Sequence, residues 1–592
     1  MANFKDYGSN RKKAITVSNF GGVDLTNAVG KISMGRSPCG TNMIRDTIGK
    51  IKKRTGYGVV NDFSECIYGI YYFVKGTEKK MLVHSGKKLY IQTENGFEEI
   101  YSEMAENKST GIQFDERLII SDGEKLRYYD GKKAGNMEDI AYVPTIVAGR
   151  SPTGGGVFLD PVNMLTSKRK ETFRSTGPDT EFYLSTDNID EIVSVRVRTK
   201  DGWTNQEAFV QYQYNLWDGY VVLRYNLYPI DDDDNVEVVY KKKNEDYLKL
   251  INSSTLMTLY GLNGSLDRLF VAGNSLYPNR DYYSNMNDAT YFPDINYNVF
   301  GKDDSPIMGY SLVSGKIAVH KYNEENNANI ILREGTLNDG SVYFKMAGSY
   351  MCDGAICKHG FGVIDNEPAY LSQNGICAIT PSDILGERYS QIRSYYLNGQ
   401  LLKEKNLEDA YVVTHNQFFM LCVNEKIYIL DSIKYSSEGN NSFSHRQYEA
   451  YVWDNIPANV LFSDENELFF GTKDGRLCKF FSEEDEKCYL DNGEPFDAYW
   501  QFPDFEGDDF SFKKTIIGFA AMFDDVSKGT ALEYYDNGWK EIVRKNAEEN
   551  VFSKRIHLKD TKNQKLRIRN SSDEPMKINT VKIIYTNSAK IK

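Results

Sequence analysis

A strand–turn–strand unit keeps returning along this chain, and few folds are open to a chain built that way. It reads MLVHSGKKLYIQ from Met81, RLIISDGEKLRYYDGKK from Arg117 and DRLFVAGNSLY from Asp267. It returns as PAYLSQNGICAIT from Pro368, NEKIYILDSI from Asn424 and NELFFGTKDGRLCKF from Asn466. Each copy joins two apolar runs through a Gly, Asn or Asp turn, the local chemistry of a β-hairpin. One hairpin cannot bury its apolar face alone, so a series of them implies stacking around a shared core. Four short strands per ~40–50 residues is the spacing of propeller blades. A content of 42 Tyr and 31 Phe suits pleated, half-buried surfaces. The expected fold is all-β: a β-propeller of about six blades, interrupted by an inserted β-sandwich-like domain and followed by a C-terminal β domain.

The 592 residues exceed one ordinary core. Residues 1–60 read as an extended arm, because Gly21, Gly22, Gly35, Gly40, Gly49 and Gly56 interrupt every periodicity. Such an arm has too little core of its own and is expected to order on a partner surface. Residues 61–150 hold the first blades. Pro144, Pro152 and Gly154 to Gly156 mark a boundary, and 151–248 read as the inserted domain, with strict alternation in IVSVRVRT. Residues 249–481 hold the remaining blades. Residues 482–592 end in strands that close the propeller or form a platform. The best helix candidate is NGQLLKEKNLEDAY from Asn398.

Composition limits the function. With net charge −12 and a pI near 5.3, the chain does not suit gripping duplex DNA by its phosphates. An acidic surface does suit DNA that must pass without sticking. The eight Cys are thin for this length and show no disulfide framework. MANFKDYGSNRKKAITV has no apolar signal core, and no apolar run nears ~18 residues, so a soluble protein without a membrane span is expected. Cys352, Cys357 and His359 have zinc-like spacing but lack a second pair. Asp231 to Asp234 form an acidic run without the alternation or glycine of a calcium loop, so a solvated turn is expected. His84, His320, His415, His445 and His557 are isolated. Neither a nucleophile elbow nor a phosphate-binding loop nor an H-E-x-x-H motif occurs. The cluster Lys50, Lys52, Lys53 and Arg54 reads as a solvated or interface-facing arm. The chain is therefore expected to have no catalytic set, cofactor or metal.

One combination is more specific. FGGVDL (Phe20–Leu25), SPCGTNMIRDTIGKIKKRTGY (Ser37–Tyr57), the first blades and then YVPT (Tyr142–Thr145) come in a fixed order. So do DRLFVAGN, YYSNMNDATYFPD, AYLSQNGICAI, WDNIPA and LFFGTKDGRL further on. This order resembles the tail nozzle, or tail tubular protein B, family of short-tailed bacteriophages and the related phage stabilisation proteins. The resemblance implies a non-catalytic virion protein of the tail, assembled in the host cytoplasm. It further implies a hexameric ring around the DNA exit channel that retains and then passes the genome. The partners implied are other copies of the chain, tail adaptor and portal-proximal ring proteins, tail fibres or spikes, and genomic DNA without sequence readout. Arm residues expected at such an interface are Arg11, Lys12, Lys13, Phe20, Asp24, Asn42, Met43, Lys53, Arg54 and Tyr57. A second reading is a glycan-binding or glycan-cleaving propeller at the tail tip, with Trp203, Trp217, Trp453, Trp500 and Trp539 as stacking platforms.

Overall fold

A computed structural model describes residues 12–175, 179–200, 202–206, 212–223, 234–302, 304–324, 327–381, 388–437, 446–504, 512–545, 550–561 and 564–590. The chain divides into two compact units. One comprises Met1–Ile70, Asn323–Ile330 and Tyr350–Lys592; the other comprises Tyr71–Tyr322 and Ile331–Ser349.

The fold is all-β, a β-propeller carrying an inserted β domain and a C-terminal β region. Among the described residues, six four-stranded antiparallel meanders span residues 67–101, 110–136, 256–299, 307–350, 361–392 and 411–453. A seventh blade has Ala458–Asp464, Glu467–Thr472 and Arg476–Phe480 as its first three strands. Its fourth strand is Tyr57–Asp62, which pairs antiparallel with Arg476–Phe480. Closure therefore comes from the end of the arm, where the C-terminal region was one of the expected candidates. The count exceeds the expected six because the fourth blade has a weak signature: its outer strand Ser341–Tyr350 is mostly exposed and does not read as an apolar run.

Two local readings change. In DRLFVAGNSLY only Arg268–Ala272 is a strand; Leu276 and Tyr277 lie exposed in a loop, and the chain re-enters the sheet at Arg280–Tyr283. The helix near Asn398 runs over Tyr395–Leu401, and a second helix, Glu245–Asn252, was not expected. The second starts where the Asn244 side chain accepts a hydrogen bond from the Tyr247 backbone N–H at 3.3 Å, an N-cap inside a stretch that reads as charged linker.

In the first unit, the C-terminal region forms two sheets. One orders Met43–Arg45, Ile51–Lys53, Lys577–Lys590, Phe512–Phe523 and Val551–Thr561, with Lys13–Val17 also paired to Lys577–Lys590. The other orders Ala498–Gln501, Leu566–Asn570, Thr530–Tyr535 and Trp539–Arg544. Trp500, Phe519, Leu532, Ile568 and Ile583 share one core with Phe20, Met43 and Ile51 of the arm. At the entry to the closing strand a Cβ on Gly56 would lie 1.9 Å from the Leu490 carbonyl oxygen, so no side chain fits.

In the second unit, the inserted domain begins at Thr145, six residues before the expected boundary, and its last strand ends at Lys241. A six-stranded sheet faces a three-stranded one across Phe173, Phe182, Val195, Val221, Val238 and Tyr240. The blades of this unit bury two histidines. Burial holds the His84 imidazole down to about 4 and His320 down to about 3. Burial also pushes the Asp281 carboxyl up to about 6, although Asn298 and Tyr310 donate to it.

Two outcomes are expected. Gly56→Ala forces the backbone off Leu490 and costs on the order of 3 kcal/mol; calorimetry reads this as a lowered melting temperature, and an unchanged one contradicts the packing. Below pH 6.5 the unfolded chain takes up protons that folded His84 and His320 refuse, so both groups withdraw stability as pH falls from 6.5 toward about 4. Each contributes roughly 3 kcal/mol across that window. Asp281 acts in the opposite sense, its folded form keeping a proton between 3.8 and about 6, but two groups outweigh one. A melting series across this range should be steeper for the parent than for His320→Gln; equal slopes contradict the assignment.

Candidate functional site: the arm as an internal clamp

Arg11 lies outside the described residues, Lys12 is exposed, and Lys13 opens the strand Lys13–Val17, paired with Tyr585. The others named, from Phe20 to Tyr57, are buried. Phe20 meets Trp500 edge-on at 5.5 Å between ring centroids. Asp24 folds the chain back on itself, its Oδ1 accepting from the backbone N–H groups of Thr26 and Asn27. Gly22, at φ +80°, lets the backbone pass against Ala450, where a Cβ would lie 2.4 Å from the carbonyl oxygen. The surface on which the arm orders, expected to be a partner's, is the chain's own for Phe20 to Tyr57.

A polar knot follows. Asn42 sits in the left-handed region at φ 54°, which Asn tolerates. Its side chain donates to Asp454 Oδ1 and to the Asp497 carbonyl, and its Oδ1 accepts from Arg54 Nε at 2.9 Å. Arg54 is fully buried and grips Asp491 with both terminal nitrogens, at 2.8 and 2.6 Å. That two-pronged geometry gives a guanidinium–carboxylate pair its strength. The guanidinium carbon lies 3.9 Å from the Phe496 ring centroid. Lys53 is also buried; its Nζ donates to the Ser572 carbonyl at 2.6 Å and lies 4.3 Å from the centre of Phe496. Burial, and then the Arg54 charge, holds the Lys53 ammonium down to about 8. The Met43 carbonyl accepts from Trp453 Nε1 at 3.2 Å. Tyr57 packs edge-on against Phe470 at 4.8 Å, and burial followed by the Asp491 charge raises its hydroxyl to about 12.

The basic cluster does not form a solvated patch. Lys50 pairs with Asp524 at 2.6 Å and Lys52 with Glu483 at 2.6 Å, while Lys53 and Arg54 point inward. Sequence reading missed the opposing half, Asp454, Asp491, Phe496 and Asp497. Arg54 and Asp491 lie 437 residues apart, beyond any local spacing rule.

Beside the knot a cleft of about 540 Å³ is lined by Arg54, His415, Phe418, Trp453 and Phe480. Its rim charges already pair within the chain, Lys479 with Glu467 and Lys52 with Glu483. The His415 ring, its basicity lowered by burial, shares a hydrogen bond with Ser463 Oγ at 2.9 Å.

The remaining candidates have structural partners. Cys357 Sγ donates to the Ala410 carbonyl at 3.0 Å, His359 stacks on Tyr411 at 5.2 Å, and Cys352 lies against the Tyr350 carbonyl. Asp231 to Asp233 lie outside the described residues; Asp234 accepts from Thr172 and from the Gly149 N–H. His445 lies outside them too, and His557 is exposed. Among the described residues no group of three or more His, Cys, Asp or Glu is placed to hold a metal ion, and no helix is long and apolar enough to cross a membrane.

Arg54→Met keeps side-chain length and leaves Asp491 without its cation. Removing one partner of a buried pair costs about 3–5 kcal/mol, so the first unit should unfold at clearly lower urea. The double variant Arg54→Met/Asp491→Leu should recover part of that loss; equal loss in both contradicts the pairing.

No protein-family model and no curated protein matches the chain. Solved structures similar to it include virginiamycin B lyase from Staphylococcus aureus, at 11% identity and TM-score 0.32 over 71% of this chain and 96% of that one. BamB from Moraxella catarrhalis is similar at 10% identity and TM-score 0.30, over 73% and 99%. The computationally designed Ika8 protein is similar at 8% identity and TM-score 0.30, over 72% and 100%.

Proposed function

We propose that this chain is a structural protein of a bacteriophage tail, a nozzle or stabilisation subunit whose copies, six in number, close a ring around the DNA exit channel. In this reading it retains the genome before ejection and lets it pass, and it works without catalysis. The observation that carries the proposal is the arm. The ordered motifs from Phe20 to Tyr57 are those that resemble the tail nozzle family, and the same residues tie the C-terminal sheets to the blades of their unit. A subunit under load from packed DNA gains from such bracing. The acidic balance of −12 suits a channel that phosphates slide past.

Contact between copies has a natural site in the inserted domain. Val157–Phe158 is the edge strand of its sheet, and Val157, Phe158 and Leu159 are 70%, 80% and 62% exposed. An apolar edge invites pairing with another chain. Native mass spectrometry and electron microscopy of the purified protein test the proposal, alone and with a portal–adaptor complex. The expected result is a closed ring that Phe158→Asp weakens without lowering the melting temperature. A protein that stays monomeric in both settings sinks the ring reading.

A further inference from the structure

The third blade carries a pocket that neither the arm nor the ring reading uses. It is an open cleft within the second unit, of about 560 Å³, lined by Asp246, Tyr277, Arg280, Tyr282, Asp294 and Tyr297 among others. That volume is in the range of small-ligand sites. Three segments build it. Arg280–Tyr283 and Tyr297–Val299 are the outer strands of the blade, and their register sets Tyr282 opposite Tyr297 and Arg280 opposite Val299. Alternation places Arg280 and Tyr282 on one face. The helix Glu245–Asn252 brings Asp246 and Tyr247, and the loop before Arg280 brings Tyr277.

The chemistry of the lining is unusual for packing alone. Tyr282 is 2% exposed, yet its hydroxyl proton meets no acceptor among the described residues. Arg280 Nε is likewise buried and unpartnered; the guanidinium stands beside the Tyr282 oxygen as a donor to it, which leaves the hydroxyl's own proton unused. A buried polar group left without a partner is costly, and such groups mark places where something else binds. Burial raises the Tyr282 hydroxyl to about 12, so it stays protonated at neutral pH and serves as a donor. Around these donors stand acceptors: Asp246, and Asp294, which also takes the Tyr247 hydroxyl at 3.3 Å. The rings of Tyr277 and Tyr297 are 38% and 44% exposed at the mouth. The Arg280 guanidinium carbon is 3.9 Å from the centre of Tyr277 and 5.6 Å from that of Tyr297.

Charge selects among ligands. The carboxylates of Asp246 and Asp294 repel an anion at the rim, and the Arg280 guanidinium among the rings repels a cation. A neutral molecule that both donates and accepts hydrogen bonds, and offers an apolar face to an aromatic ring, fits the lining. We infer that the pocket of the third blade binds a neutral hexopyranose unit, its hydroxyls on Tyr282, Arg280, Asp246 and Asp294 and its C–H face against Tyr297. The inference stands apart from the ring reading, since every residue it uses belongs to one copy of the chain and calorimetry reads binding separately from oligomeric state.

Titration calorimetry of the full chain with glucose, galactose and N-acetylglucosamine, and with their short oligomers, tests it. The expected result is saturable binding of at least one sugar, weakened about tenfold by Tyr282→Phe, which removes only a hydroxyl. Tyr297→Ala, at an exposed position, should abolish the signal while leaving the melting temperature unchanged. Tighter binding of the oligomer than of its monomer marks a polysaccharide as the source, and equal binding marks the free sugar. No saturable binding by any of these probes overturns the inference. Binding that both variants leave intact also overturns it, and so does tighter binding of adenosine or uridine controls.

Discussion

Everything in the first unit hangs on how the strand Tyr57–Asp62 is delivered to the seventh blade. That blade has three strands of its own and an open edge until the fourth arrives from the far end of the chain. The Arg54–Asp491 pair sits just before that strand and fixes its approach, while Asn42 ties the same guanidinium to the turn around Asp454. A buried pair of this kind adds little net stability over an apolar substitute, but it punishes every arrangement that leaves one charge alone. Its role here is to allow one way of entering the blade. Gly56 enforces the same restriction sterically, since only a backbone without a side chain passes Leu490.

The hairpins were legible because their information is local. Alternation and a two- or three-residue turn identify a strand pair wherever it occurs, and the strands at Glu78–Ser85, Lys88–Thr93 and Glu467–Thr472 fall where those signals place them. The fourth blade was less legible because its outer strand faces solvent and carries few apolar residues. The fate of the arm was not legible at all. Lys53 and Arg54 look like surface charges until Asp491, Phe496 and Ser572 are brought beside them, and nothing in the spacing near residue 50 announces those partners. The tryptophans named as stacking platforms divide between interior and surface, with Trp203 and Trp217 38% and 75% exposed. Trp453 and Trp500 are interior side chains, whereas the tyrosines of the third blade frame a pocket.

The functional reading and the sugar inference use different parts of the molecule. The arm supplies bracing, the inserted domain supplies an apolar edge, and the third blade supplies an open polar cleft with exposed rings. A propeller separates such tasks readily, because its blades share a core while their loops vary independently.

The pairing of Lys13–Val17 with residues 581–585 has a consequence for biosynthesis. A strand near the start of the chain waits, unpaired, until the ribosome has delivered a strand near its end. The strands Met43–Arg45 and Ile51–Lys53 wait with it, because their sheet is completed by the same late strand. Blades can form one after another as they emerge, but the first unit closes only once translation has reached its last strands. A chain halted before Lys577–Lys590 therefore leaves Lys13–Val17 unpaired and the sheet of Met43–Arg45 and Ile51–Lys53 without the strand that joins it to Phe512–Phe523.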